Sequence, residues 1–238
     1  MNSFALGLIV PPTNTVNESE WRAAVSTEMS VRVARMPLHD DVTSDHGRDI
    51  LIADLAAAAR PLMQAGADAV AYGCTAGSLI LPPEWLPETL GTALDCPCAA
   101  TAPALVQAAR QLGVRRVAVA TPYHDALNAH EADFLAECGL EVVRINGLGI
   151  GAGGPHEYTR IAALPAERIE RLALDTAAAG GEALILSCTD LPTRTLHDKL
   201  EQVLGRPVIS SNQATLWATL KAAGRETTPI SWGALMKA

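Results

Sequence analysis

Apolar residues along this chain fall into short continuous runs, separated by longer stretches where they recur every three or four positions. Residues 6–10 read Leu-Gly-Leu-Ile-Val, and comparable runs occupy residues 67–72, 116–120, 140–144, 183–187 and 207–210. Runs of this kind suit parallel strands covered on both faces. Between them, residues 49–65, 102–112, 124–138, 165–179, 191–204 and 212–223 carry helical spacing. Gly66, Gly113, Gly139 and the pair Gly180-Gly181 stand where such helices stop, and Pro165 suits a first helical turn. Strand alternating with helix predicts a parallel α/β architecture.

The pattern repeats itself. Ala69-Val-Ala-Tyr-Gly-Cys74-Thr75 parallels Leu184-Ile-Leu-Ser-Cys188-Thr189, and Ile9-Val-Pro-Pro12 parallels Val119-Ala-Thr-Pro122. Cys96-Pro97-Cys-Ala-Ala-Thr101 parallels Arg206-Pro207-Val-Ile-Ser-Ser211, each ahead of a helix. The offset is 110 residues at both proline pairs and 114 at the cysteine pair. Two pseudo-symmetric Rossmann-like domains follow, each a parallel sheet flanked by helices. Residues 1–113 would form the first and 114–238 the second, with the C-terminal helix free to pack back on the first and an active site between them.

Composition narrows the function. Among 238 residues the formal net charge is -8, and the longest basic run is Arg115-Arg116. Nucleic-acid binding needs clustered cations, so a nucleic-acid partner is not expected. No apolar run approaches the roughly 18 residues of a membrane span. Met1-Asn2-Ser3-Phe4 reads as mature sequence rather than as a signal peptide. Five irregularly spaced cysteines argue for a reducing cytoplasm and against a disulfide framework. Cys96-Pro97-Cys98 lacks nearby histidines, so no metal site is expected, and Cys96, Cys98 and Cys138 are read as structural. No nucleotide or pyridoxal motif is present, so no cofactor is expected.

In open α/β sheets ligands bind beyond the carboxyl ends of the strands. Cys74 and Cys188 each follow an apolar strand directly, and each precedes threonine and an expected helix start. A helix N-terminus would lower a thiol pKa, and its free N–H groups, with Thr75 and Thr189, would hold a carboxylate. One such cysteine reads more naturally as a buried structural residue; two at matching strand ends read as a catalytic pair. Asn14, in Pro11-Pro12-Thr13-Asn14-Thr15, fits a turn cap as well as a substrate ligand. Tyr123 fits a core residue as well as a donor to carboxylate. Residues 147–156, Gly-Leu-Gly-Ile-Gly-Ala-Gly-Gly-Pro-His, read as a mobile loop over the site, with His156 in solvent.

Paired Gly-Cys-Thr and Ser-Cys-Thr strand ends resemble the aspartate/glutamate racemase superfamily. Gly7-Leu-Ile-Val-Pro-Pro-Thr-Asn-Thr15 with Glu18 is similar to the opening of maleate cis–trans isomerases. Ala120-Thr-Pro-Tyr123 with Asn128 resembles their second-half motif and that of arylmalonate decarboxylases. The resemblance implies a cofactor-independent cytoplasmic enzyme, a homodimer by family habit, acting on a small carboxylate. Cys74 would be the nucleophile and Cys188 the acid, with Asn14, Tyr123, Thr75 and Thr189 binding the substrate. A racemase using the same thiols as two bases is the alternative, then a decarboxylase, then a non-catalytic carboxylate binder. Arylmalonate decarboxylases carry glycine in place of the first cysteine, so Cys74 departs from them. The glycines at 149–154 replace a substrate-binding asparagine of the isomerases, and Thr-Asp-Leu-Pro after Cys188 is closer to amino-acid racemases.

Overall fold

In the computed structural model the described residues are 4–39, 41–228 and 230–238; Met1, Asn2 and Ser3 of the expected mature N-terminus lie outside them. The first sheet contains β1 (Phe4–Val10), β2 (Met29–Arg35), β3 (Ala69–Tyr72) and β4 (Cys98–Ala100), in the order β2-β1-β3-β4. The second contains β5 (Arg116–Tyr123), β6 (Glu141–Ile150), β7 (Ala183–Leu186) and β8 (Val208–Ser210), in the order β6-β5-β7-β8. Every pairing is parallel, and the second order is the first repeated four strands later. The internal repeat read from the strand ends is thus a repeat of topology.

The central strands carry the apolar runs because helices cover both their faces. Leu6, Leu8, Ile9 and Val10 on β1 are buried, as are Val117 to Ala120 on β5. The flanking helices are α1 (Val16–Ala24), α2 (Asp45–Gln64), α3 (Trp85–Leu94), α4 (Thr101–Gln111), α5 (Asp125–Glu137), α6 (Ala166–Ala177), α7 (Arg194–Leu204) and α8 (Ser211–Ala222). Every residue of α8 from Ser211 to Leu220 is buried, and its polar residues find hydrogen-bond partners inside, Thr215 and Thr219 each bonding a carbonyl one turn back. It lies against α4 and against β3 and β4 of the first sheet. The largest core cluster joins Leu6 and Leu8 to Val117, Ile185 and Trp217, so both halves share one interior.

Five elements were not expected from the pattern: α1, the half-buried strand β2, α3, the three-residue strand β4 and the far half of β6. Pro87 and Gly91 disguise α3. Pro87 sits in its first turn, where the missing N–H would have no partner anyway. α2 begins at Asp45 rather than residue 49, because Ser44 caps it by accepting the Gly47 N–H at 3.0 Å. The glycine-rich stretch is corrected in part: residues 147–150 complete β6 rather than starting a loop. A Cβ at Gly147 would meet the Tyr123 carbonyl and Asn128, so glycine there serves close strand packing. Among the described residues no helix is long and apolar enough to cross a membrane.

Candidate active site

The carboxyl ends of β1, β3, β5 and β7 meet where the two sheets face each other. One recess of about 60 Å³ is lined there by Asn14, Cys74, Thr75, Tyr123, Cys188 and Thr189, all six of the residues singled out in the sequence. Pro11, Thr13, Leu38, Ala76, Tyr158, Ile161 and Asp190 complete its lining. His156 is exposed and does not line it.

Hydrogen bonds between the halves fix these loops. Asn14 donates from Nδ2 to Thr189 Oγ1 at 2.9 Å, and Thr189 Oγ1 donates to the Gly73 carbonyl at 3.0 Å. Asn14 Oδ1 accepts the Asn17 N–H at 3.1 Å. Asn14 therefore braces the turn that opens α1 and also lines the recess. Asp190 Oδ1 accepts the N–H groups of Thr15 (2.9 Å) and Val16 (3.1 Å). Buried Glu20 on α1 accepts the N–H groups of Thr193 (2.6 Å) and Arg194 (2.7 Å), and so caps α7 from the other half. Glu20, Asp190, Ser211 and Tyr72 were not anticipated, since each acts on a partner remote in sequence or hidden in the core.

The two thiols are buried, 5% exposed at Cys74 and 6% at Cys188. The expectation of lowered pKa values is overturned. No α-helix starts at either cysteine; Cys74 leads into a three-residue 3-10 turn at Ala76–Ser78, and α7 begins only at Arg194. Burial raises the Cys74 thiol pKa and pushes that of Cys188 up to about 12. Local donors oppose burial. The Gly77 N–H reaches Cys74 Sγ at 3.3 Å, and the Tyr72 hydroxyl and the Ala76 N–H also favour its thiolate. The Tyr123 hydroxyl favours the Cys188 thiolate, but the Asp190 carboxylate beside it opposes ionisation. Cys74 thus has three donors to its sulfur, whereas Cys188 has two, the Tyr123 hydroxyl and the Asp190 N–H, with the Asp190 carboxylate opposing them. Cys188 also holds a positive φ of 121°, rare for a side-chain-bearing residue.

Behind the recess lies Glu131 on α5, fully buried, its pKa raised by burial to about 7. The Ser187 hydroxyl stands beside it and favours the carboxylate, against the larger effect of burial. Burial raises the Cys138 thiol pKa as well. The described His, Cys, Asp and Glu residues offer one metal-competent group, His197, Asp198 and Glu201 on α7. Glu201 there already accepts the N–H groups of Val208 and Ala234, at about 3.1 Å each.

A sequence model of the arylmalonate decarboxylase family matches residues 6–236. The chain belongs to the arylmalonate decarboxylase family. It is 31% identical over 222 residues to the arylmalonate decarboxylase of Bordetella bronchiseptica, covering 92% of this chain and 90% of that one. It is 25% identical over 230 residues to the maleate isomerase of Nocardia farcinica, covering 91% of this chain and 89% of that one. A cysteine-to-serine variant of the Nocardia farcinica maleate cis-trans isomerase, solved with a covalently bound succinylcysteine intermediate, superposes with a TM-score of 0.84 at 22% identity over 98% of each chain. Family membership accounts for the two facing sheets, and the relatives comprise both decarboxylases and isomerases. Within the family, two buried thiols in one recess distinguish this chain from members with glycine at the first position.

Proposed function

We propose that this protein isomerises a small cis-unsaturated dicarboxylate, in the manner of a maleate isomerase, with Cys74 as nucleophile and Cys188 as acid. The observation that carries the reading is that both thiols line one recess. The unequal surroundings of the thiols support the division of roles. Three donors favour a Cys74 thiolate, while burial, aided by the Asp190 carboxylate, keeps the proton on Cys188.

In this mechanism the Cys74 thiolate adds to one alkene carbon, and the electron pair passes to the neighbouring carbon and its carboxylate as an enediolate. The Cys188 S–H protonates that carbon. The central bond, now single, rotates. The Cys188 thiolate takes the proton back, the carbon–sulfur bond breaks, and the trans acid leaves with the Cys74 thiolate restored. The succinylcysteine of the Nocardia enzyme is the adduct such a sequence forms. No step uses a cofactor; the enzyme would work in the cytoplasm as a homodimer. Decarboxylation of an arylmalonate is the second reading, favoured by the 31% identity to the Bordetella enzyme; there Cys188 alone would protonate the enediolate left by loss of carbon dioxide.

The test is a proton NMR time course in deuterium oxide with maleate, phenylmalonate and a panel of L-amino acids in separate tubes. Fumarate formation, lost in both Cys74→Ser and Cys188→Ser, is expected. Carbon dioxide loss from phenylmalonate that survives Cys74→Ser would replace the isomerase by the decarboxylase. Exchange of an amino acid's α-proton would replace it by a racemase.

A further inference from the structure

Three sulfur atoms meet on the far side of the first half. Cys96 Sγ lies 3.8 Å from Cys98 Sγ and 3.8 Å from Met63 Sδ, which α2 delivers from 33 residues upstream. All three residues are half-buried. A metal–sulfur bond of ~2.3 Å puts two sulfurs on one ion at ~3.8 Å for a tetrahedral angle and ~4.0 Å for a trigonal one. Cys96 is thus spaced from each of the other two sulfurs as two ligands of one ion are.

The internal repeat shows what this place holds otherwise. At an offset of 110, Cys96 and Cys98 correspond to Arg206 and Val208; at the 114 of the cysteine pair, Met63 corresponds to Ala177. In the second half Arg206 donates to the Ala177 carbonyl at 2.5 Å and to the Gly181 carbonyl at 2.6 Å, closing the turn. The same two positions touch in both halves, once through a guanidinium and once through sulfur. Access exists as well: Glu88 and Asp95 line a surface depression that also exposes Cys96. Its carboxylates draw cations inward.

We propose that Met63, Cys96 and Cys98 form a site for a soft monovalent metal ion, copper(I). Two thiolates and a thioether are a ligand set that selects copper(I) over zinc, which is held by thiolate, imidazole or carboxylate. On binding, both thiols release their protons to solvent, two thiolate bonds and one thioether bond form, and copper stays monovalent, so no redox partner is needed. The site is separate from the recess and independent of its chemistry.

The experiment is an anaerobic copper(I) titration of the full chain carrying Cys74→Ser and Cys188→Ser, against the coloured chelator bathocuproine disulfonate. Melting curves check that each variant is folded. The expected result is one ion per chain withheld from the chelator, with near-ultraviolet copper–thiolate absorption. Cys96→Ser or Cys98→Ser should weaken binding at least ~100-fold, and Met63→Leu, which spares both thiols, ~10-fold. Failure to withhold copper, or affinity unchanged in the folded Cys96→Ser and Cys98→Ser chains, would overturn the site. Affinity unchanged in Met63→Leu would overturn its three-sulfur composition.

Discussion

Thr75 and Ser211, one from each half of the chain, place their hydroxyl oxygens 3.0 Å apart, and Ser211 Oγ also accepts the Cys188 N–H at 3.0 Å. Ser211 opens α8, the helix that crosses to the first sheet, so one hydroxyl ties together the loops that carry the two thiols. Cys188 holds its positive φ under that bond. Ser211→Ala leaves the N–H of Cys188 unpaired and frees its backbone to relax. Stability should fall by about 1–3 kcal/mol in urea unfolding. Turnover should fall ~10-fold or more with a smaller change in KM, because Ser211 does not line the recess. A changed KM alone would contradict this role.

The raised thiols set the behaviour in alkali. Cys188 keeps its proton to about pH 12 in the folded chain, whereas an unfolded cysteine ionises near ~8.5. The folded state therefore binds the extra proton above the unfolded value. Stability is full below ~8.5 and declines as pH rises toward 12, by up to ~1.4 kcal/mol per pH unit from this group. Cys74, raised in the same direction, adds to the slope. Thermal unfolding between pH 8 and 10 should decline less steeply in Cys188→Ser. Iodoacetamide at pH 7 should modify half-buried Cys96 before either buried thiol, as peptide mapping would report.

The strands and the two thiols were legible because their signals are local: an apolar run, then Cys-Thr, twice at one spacing. Asn14 and Tyr123 could be named because they follow strands on the same edge. The supporting residues were not legible. Ser211 contacts Thr75 from 136 positions away, and Glu20 contacts Thr193 from 173. Nothing in the local sequence of a serine or a glutamate announces such a partner. The thiol pKa direction was misread for a physical reason: the helix start inferred after each cysteine is a short turn at one and three residues late at the other, so burial outweighs the backbone donors. Glycine misled in β6, where it serves close packing rather than mobility.

Glu20 links the halves by accepting from the N–H groups of Thr193 and Arg194 and from Asn212 Nδ2 at 2.7 Å. A carboxylate capping a helix from another element is a charge-assisted contact, strong because it is buried. Glu20→Ala orphans all three donors. It should cost about 3–5 kcal/mol in urea unfolding, with Glu20→Gln losing less because its carbonyl still accepts.

Gly151 follows β6 at a φ of 99°, and a Cβ there would stand 2.6 Å from the Tyr158 ring. Tyr158 lines the recess, and Glu157 holds the turn by accepting the Gly151 N–H at 2.8 Å. Gly151→Ala combines backbone strain with a displaced ring. KM should rise several-fold while kcat changes little, since the thiols lie on other strands. Steady-state kinetics on whichever substrate the NMR panel identifies would show the split; equal loss of kcat and kcat/KM would place Tyr158 in the reaction itself.

Glu131 gives the clearest pH signature in the acid-to-neutral range. Its buried carboxyl titrates at about 7, while the unfolded chain releases the same proton near ~4.3. The folded state thus binds more protons between these values. This group's contribution is full below ~4.3 and is lost as pH rises through 7, at up to ~1.4 kcal/mol per pH unit. Glu131→Gln keeps the shape and cannot ionise. Its stability relative to the natural chain should therefore improve by about 2–4 kcal/mol between pH 4 and pH 8. The charge also acts on Tyr123, whose hydroxyl it helps keep protonated beside Cys188. Urea unfolding of both proteins at pH 4.5, 6 and 8 measures the difference directly. Parallel curves would mean that Glu131 stays charged in the fold, and its carboxyl would then need a cationic or hydrogen-bonded partner.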